Sequence, residues 1–313
     1  MTAVQAERAA PDLAALTMPP LLDRTLVYVT GKGGAGKTTV TAALGLAAAA
    51  RGRRTVVCDL AGSHQLARAY GAGDRDEARL TDRLSSLSVE PQAALEEWLR
   101  RQPGGAAAVA VLTRSRAFGH FVAAAPGAKE LVTIGKLIDL AAARAPALVV
   151  ADGPSTGHAL GMLAAPRTVG DIAPLGSVGA QARELRDFLQ DPTEAGFVGV
   201  SLAEDMSVSE VLELERELPG AAGRELDLIV VNGLYPDRFS DEEAERLRVV
   251  ADRWPVVRIA LAHHRRARAQ AAHVSRLLEH ARTPVVTLPY LFVPQLGPRE
   301  YEALARELSR GLA

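Results

Sequence analysis

The sequence predicts an α/β fold: a doubly wound, mainly parallel sheet with a helical subdomain inserted into it. Short apolar, β-branched runs alternate with helical stretches along most of the chain, as in repeated β–α units. The runs Leu26–Val29, Thr55–Cys58, Ala147–Ala151 and Leu226–Val231 are nearly unbroken in apolar character, which suits strands covered on both faces. A glycine-rich loop, Gly31–Thr39, joins the first of these runs to an alanine-rich helical run and so places the first strand–helix junction.

The elements follow in order. Residues 1–23 carry Pro11, Pro19 and Pro20 among acidic residues, with no basic start before an apolar stretch, so a disordered tail is expected rather than a secretory signal. Residues 24–313 form the folded domain. Its first strand is Thr25–Thr30, and a helix then runs from about Thr38 to Gly52, with Arg51, Arg53 and Arg54 near the negative end of its dipole. The second strand, Thr55–Cys58, ends at Asp59. From about 90 to 145 the pattern is helical, with Trp98, Leu99, Val111, Leu112, Phe118, Phe121, Leu131, Ile134 and Leu137 as the larger apolar residues. Pro103-Gly104-Gly105 and Pro126-Gly127 break it into at least three helices, the inserted subdomain.

Ala147–Ala151 is the next strand and ends at Asp152. Further strands are expected at Phe197–Leu202, Leu226–Val231 and Pro284–Leu288, and helices at Ala180–Gln190, Ser207–Leu218 and Asp241–Asp252. His263, His264, Arg265, Arg266 and Arg268 open a long helix that also carries His273 and His280. No two histidines are spaced i, i+4, so a solvated basic face is expected there and not a metal site.

With 36 basic and 37 acidic residues the formal net charge is −1, which gives no bulk attraction to nucleic acid. No apolar run is long enough for a membrane span, so no direct membrane insertion is expected. Cys58 is the single cysteine; it excludes internal disulfides and C-x-x-C metal sites, and the expected compartment is the cytoplasm.

The loop carries the chemistry. Gly31–Thr38 fits G-x-x-x-x-G-K-[ST], in which backbone N–H groups wrap a polyphosphate at a helix N-terminus. Gly33, Gly34, Ala35, Gly36, Lys37, Thr38 and Thr39 are therefore the expected binding residues for ATP or ADP. Lys37 reaches the β- and γ-phosphates, and the Thr38 hydroxyl ligates Mg²⁺. Asp152, closing a hydrophobic strand, is the second expected Mg²⁺ residue. A rival reading rests on Gly153-Pro154-Ser155-Thr156-Gly157, a literal G-x-S-x-G between a strand and a helix. It makes Ser155 the nucleophile of a serine hydrolase, with Asp227 or Asp237 and His263 as partners, and it leaves the glycine-rich loop without a purpose.

Lys32 sharpens the reading. Lys32-Gly33-Gly34-Ala35-Gly36-Lys37-Thr38-Thr39 resembles the deviant Walker A loop of the MinD, ParA, nitrogenase iron protein and ArsA group of dimeric phosphate-loop ATPases. Within that group, Asp152 to His158 resembles the D-T-A-P-T-G-H switch of the ArsA and tail-anchored-protein targeting ATPases. Asp152, Thr156, Gly157 and His158 match, while Gly153, Pro154 and Ser155 depart. Asp59-Leu60-Ala61-Gly62-Ser63 stands where that family has D-P-A-H-[SN], and Asn232-Gly233-Leu234-Tyr235-Pro236-Asp237 resembles its N-x-L-x-P-E segment.

The resemblance implies a cytoplasmic, Mg²⁺-dependent ATPase acting as a homodimer, or as a heterodimer with a paralogue. Lys32 crosses to the partner's nucleotide, Asp59 orients the attacking water, and Asn232 meets the adenine edge. A strand-end aspartate that merely caps the next segment is the other reading of Asp59. A protein or membrane-protein partner is expected at the helical subdomain. A slow nucleotide switch or regulatory scaffold, and a MinD- or ParA-like partitioning ATPase, are the alternatives. The single cysteine gives no support to a metalloid cargo, and no methionine lies between Glu90 and Arg144 to support a soft hydrophobic groove.

Overall fold

The computed structural model describes residues 20–101, 127–143 and 147–312. Its centre is an eight-stranded sheet in the order β3-β4-β2-β5-β1-β6-β7-β8. The strands are β1 (Leu26–Gly31), β2 (Arg54–Asp59), β3 (Glu77–Arg79), β4 (Leu84–Ser88), β5 (Ala147–Ser155), β6 (Ala195–Leu202), β7 (Leu228–Leu234) and β8 (Val285–Pro289). All neighbours pair in parallel except β3 and β4, so the expected mainly parallel sheet is present.

Both faces of the sheet are covered, which is why its strands read as apolar runs instead of alternating ones. On β1, Val27 and Val29 point to one core, while Leu26 and Tyr28 point to the other. The first core is closed by α1 (Lys37–Ala50) and α10 (Pro298–Gly311), which pack on each other, and by Leu66 of the short α2 (Gln65–Ala69). Tyr301, Leu304, Ala305 and Leu308 form the buried stripe of α10 at helical spacing. The second core is closed by α4 (Ala128–Ala143), α5 (Thr156–Ile172), α7 (Asp205–Ala222) and α9 (Pro255–His280), through Ile134, Leu137, Leu163, Val208, Val211, Leu214 and Leu277. α6 (Gly176–Gln190) packs against α5, and α8 (Asp241–Arg248) against α9.

Several elements differ from the sequence reading. β3 and β4 were not expected. Of the segment expected as a tail, Leu21–Asp23 is a single 3-10 turn with Leu22 buried against the first core. Between β4 and β5 the described residues form α3 (Pro91–Arg101) and α4, which pack together. α4 also contributes Ile134, Leu137 and Ala141 to the main core, so it belongs to the layer over the sheet. Val111, Leu112, Phe118, Phe121 and the Pro103-Gly104-Gly105 break lie outside the described residues. α9 begins at Pro255, with proline at its first turn, two turns before the histidines expected to open it. Its basic face is also not wholly solvated. His264 is buried, with Nε2 3.2 Å from Asp241 Oδ1, and Arg266 lies over the Tyr235 ring at 4.7 Å.

Candidate nucleotide site

The site lies at the carboxyl ends of the central strands, where the parallel sheet delivers β1, β2, β5 and β7 to one edge. β1 ends in Gly31, whose φ of +149° and close approach to β6 admit only glycine: a Cβ there would stand 2.1 Å from the Val200 carbonyl oxygen. The chain turns through Lys32–Ala35, with Ala35 N–H donating to the Lys32 carbonyl at 3.2 Å, and enters α1 after Gly36. Gly36 is in the left-handed region and offers no side-chain cap, so the first N–H groups of α1 are left for an external anion. A Cβ on Gly33 or Gly34 would meet nothing within 4 Å, so the loop backbone faces open space.

Asn232, at the end of β7, supports this loop from a distance of 197 residues in sequence. Its Nδ2 donates to the Ala35 carbonyl at 3.1 Å, and a Cβ on Gly36 would sit 2.1 Å from that nitrogen. One of the two Nδ2 donors of Asn232 is thus committed to the loop, and its second N–H and its Oδ1 are the groups left for a ligand.

Lys37 is half-buried, and its Nζ donates to the Lys32 carbonyl at 3.3 Å. Burial pulls its ammonium below the ordinary lysine range, against the pull of the Asp152 and Glu210 carboxylates. Lys32 turns toward its own chain, with Nζ 3.8 Å from Glu210 Oε1 on α7; both side chains are about one-third exposed, at 32% and 34%. Thr39 lies in the first turn of α1.

Asp152 and Thr38 meet beneath the loop. Asp152 pairs with Asp59 across β5 and β2, and with Val29 across β5 and β1. Thr38 Oγ1 donates to Asp152 Oδ2 at 2.5 Å. The carboxyl is 4% exposed, and burial pushes its pKa up to about 6, helped by the nearby Asp59 and opposed by the Thr38 hydrogen bond and Lys37. Asp152 Oδ1 and the neighbouring Thr156 Oγ1 are buried without a hydrogen-bond partner among the described residues. A hydroxyl and a desolvated carboxylate, with two such oxygens unpaired, form an oxygen donor set that fits a hard divalent cation such as Mg²⁺.

Asp59 is engaged with its own loop. Oδ1 accepts from Ala61 N–H at 2.9 Å, and Oδ2 accepts from Ser63 Oγ at 2.9 Å and His64 N–H at 2.8 Å. This is the capping arrangement that was the alternative reading of that residue. It holds His64 at φ +48°, the single positive φ of a non-glycine among the described residues.

The hydrolase constellation does not assemble. Ser155 is exposed at the carboxyl end of β5, but Asp227 precedes β7 at the opposite end of the sheet. There Asp227 pairs with Arg24 at 2.6 Å and accepts from Phe197 N–H. His263 Nε2 donates to the Pro236 carbonyl, and its ring packs against Tyr235 and Phe292. Asp237 lies 3.9 Å from His264, not His263. The sequence reading also missed this aromatic group, in which Tyr235 stacks on Tyr290 beside Gly233.

Residues 24–178 match the family model described as anion-transporting ATPase, ArsA ATPase. The matched span holds the loop, Asp59 and Asp152, and ends near the start of α6. Over that span the chain carries an ATPase domain of the ArsA/GET type. It is an ATPase, and its relatives carry the same description. The ATPase BagA of Mycobacterium tuberculosis (strain H37Rv) is 28% identical over 233 residues, 70% of this chain and 67% of that one. The ATPase GET3 of Mycosarcoma maydis is 26% identical over 274 residues, 74% of this chain and 80% of that one. A putative arsenical pump-driving ATPase of Halobacterium salinarum is 24% identical over 279 residues; the match covers 78% of this chain and 42% of the longer relative. In this ATPase no helix among the described residues is long and apolar enough to cross a membrane, and no cluster of three His, Cys, Asp or Glu ligands occurs among them. Cys58 is fully buried in β2.

Proposed function

We propose that this ATPase binds ATP with Mg²⁺ in the Gly33–Thr39 loop, closes as a dimer around it, and couples hydrolysis to a partner held by its helical segment. The observation that carries the reading is the meeting of Thr38 and the buried Asp152 directly below the loop. The loop N–H groups and the α1 N-terminus receive the phosphates, and Lys37 supplies the point charge inside the loop. Thr38 and Asp152 hold the cation, which neutralises charge on the β- and γ-phosphates when bound. Asn232 keeps Oδ1 and its second N–H for the base, an acceptor for the exocyclic amine of adenine and a donor for the adjacent ring nitrogen. Cytoplasmic location, pairing with itself or a paralogue, and the absence of a nucleic-acid partner belong to the same reading, by family and by charge balance.

Asp59 is proposed to orient the attacking water once its loop is released. Asp59→Asn is therefore expected to keep ADP affinity within about tenfold and to lose on the order of 10²-fold or more in turnover, as when a positioned base is removed. Calorimetry and steady-state rates measure the two. If turnover survives while the melting temperature falls, Asp59 is the cap it resembles in this conformation, and Asp152 becomes the candidate for the water.

The three hydrogen bonds on Asp59, and the Lys32–Glu210 pair, favour a second reading in which the protein is a slow nucleotide switch. Both groups must leave these contacts before they can act on a nucleotide. Single-turnover hydrolysis separates the readings: a turnover that stays slow with excess protein supports the switch.

A further inference from the structure

Between Ser86 of β4 and the carboxylates of Asp59 and Asp152 lies a partly open cavity of about 20 Å³. Thr38, His64, Arg75, Asp76 and Ser88 also line it, with Val57, Leu66, Ala67 and Leu87 as its apolar walls. Ser86 comes from β4, paired with Val57 of β2, and Ser88 of the same strand is paired with Asp59. Alternation along β4 puts Leu84, Ser86 and Ser88 on one face, and Leu84 packs in the α1-side core. Ser86 is therefore a hydroxyl at a core position of a buried strand, 7% exposed, where an apolar residue would pack better. Its Oγ makes no hydrogen bond with any described residue. The cavity is polar on the carboxylate side, and a water needs only about 10–15 Å³ of such space and two to four polar partners.

We propose that Ser86 is a positioning residue of the ATPase site, whose hydroxyl holds one ordered water against the carboxylate wall of Asp59 and Asp152. Ser86 touches neither nucleotide nor cation. It acts through the water, which gives the carboxylates a fixed hydrogen-bond donor from the β4 side and so holds their orientation. Residues that orient a metal-side carboxylate in this way typically change metal affinity or activity by about 10–100-fold when removed. The inference rests on the proposed reading of Asp59 and Asp152 as the water and cation side of the site.

Two measurements test it on the full-length chain. A high-resolution crystal structure without nucleotide is expected to show a water within hydrogen-bond distance of Ser86 Oγ and of at least one of the two carboxylates; a dry cavity overturns the proposal whatever the variants do. Ser86→Ala is expected to lower kcat about tenfold, to raise the Mg²⁺ concentration for half-maximal rate, and to leave KM for ATP within about twofold, with Ser86→Thr recovering part of the rate. A Ser86→Ala protein at full rate and unchanged Mg²⁺ dependence also overturns it. If Lys37→Ala still binds ATP, the site reading itself has failed; if Lys37→Ala loses ATP while Ser86→Ala runs at full speed, only this inference has.

Discussion

Lys37→Ala is expected to abolish measurable nucleotide binding while leaving the fold intact. Inside the loop Lys37 is the one side-chain ammonium held at the mouth of α1, half-buried and already partly stripped of water. Truncating one partner of a desolvated charge pair costs about 2–5 kcal/mol, which is roughly 30-fold to several thousand-fold in Kd. Nothing in the protein depends on Lys37 to the same degree. Its one hydrogen bond to the described residues is to the Lys32 carbonyl at 3.3 Å, and the buried Asp152 that it helps to hold ionised keeps the Thr38 hydrogen bond, the larger of the two influences. The melting temperature without nucleotide should therefore stay within a few degrees of wild type, about the shift produced by 1 kcal/mol. Calorimetric titration with ATP and ADP checks the binding half, and a thermal melt checks the other. Unchanged affinity would remove the phosphate-loop assignment and everything built on it.

How much of this site was legible in the sequence depended on how local the signal was. The loop is legible because its physics is local. Gly31 must tolerate a backbone contact with Val200, Gly36 must enter α1 from the left-handed region, and both requirements leave glycine at fixed spacing from Lys37. β1, β2, β5 and β7 are legible because burial on two faces forces apolar runs. β4 is not, because Leu84-Ser85-Ser86-Leu87-Ser88 places hydroxyls where the parallel-sheet pattern wants β-branched residues; Ser86 and Ser88 line the cavity beside the site, and Ser85 faces the other way. β3, three residues long and antiparallel, carries no pattern at all. The start of α9 was marked by Pro255, but the basic and histidine-rich stretch that follows drew the boundary two turns late. What no local pattern contains is the direction in which a side chain points. Asn232 donates to Ala35, Asp59 accepts three hydrogen bonds from its own loop, and Lys32 turns to Glu210. Each of these is set by packing between segments distant in sequence, or by a loop that the family motif matches only in part.

Lys32→Ala combined with Asp59→Asn gives the other large effect. In this structure Lys32 reaches Glu210 of its own chain at 3.8 Å, across a gap where both groups keep about one-third of their exposure. A pair so solvated is worth about 0–1 kcal/mol, so a phosphate offered by a second protomer can take the lysine at little cost. If Lys32 served its own chain's nucleotide it would duplicate Lys37, and its loss would weaken binding in the same way. If it serves the partner's, it acts as a cation supplied in trans, which can be worth on the order of 10³-fold or more in rate. Lys32→Ala is therefore expected to bind ATP within about tenfold of wild type while hydrolysis collapses and ATP no longer tightens the dimer in sedimentation. Asp59→Asn is expected to be inactive for the separate reason given above. In a mixed dimer, the intact Asp59 of one protomer shares a site with the intact Lys32 of its partner, and one of the two sites is rebuilt. Two inactive preparations mixed in equal amounts should regain about a quarter of the wild-type rate, since about half of the dimers are mixed and each has one working site. Sedimentation that shows mixed dimers with no recovered activity would mean that the lysine acts in cis or that both sites must fire together. The single variant then decides between these: ATP affinity that falls with Lys32→Ala places the lysine on its own nucleotide, and affinity that holds leaves the coupled pair.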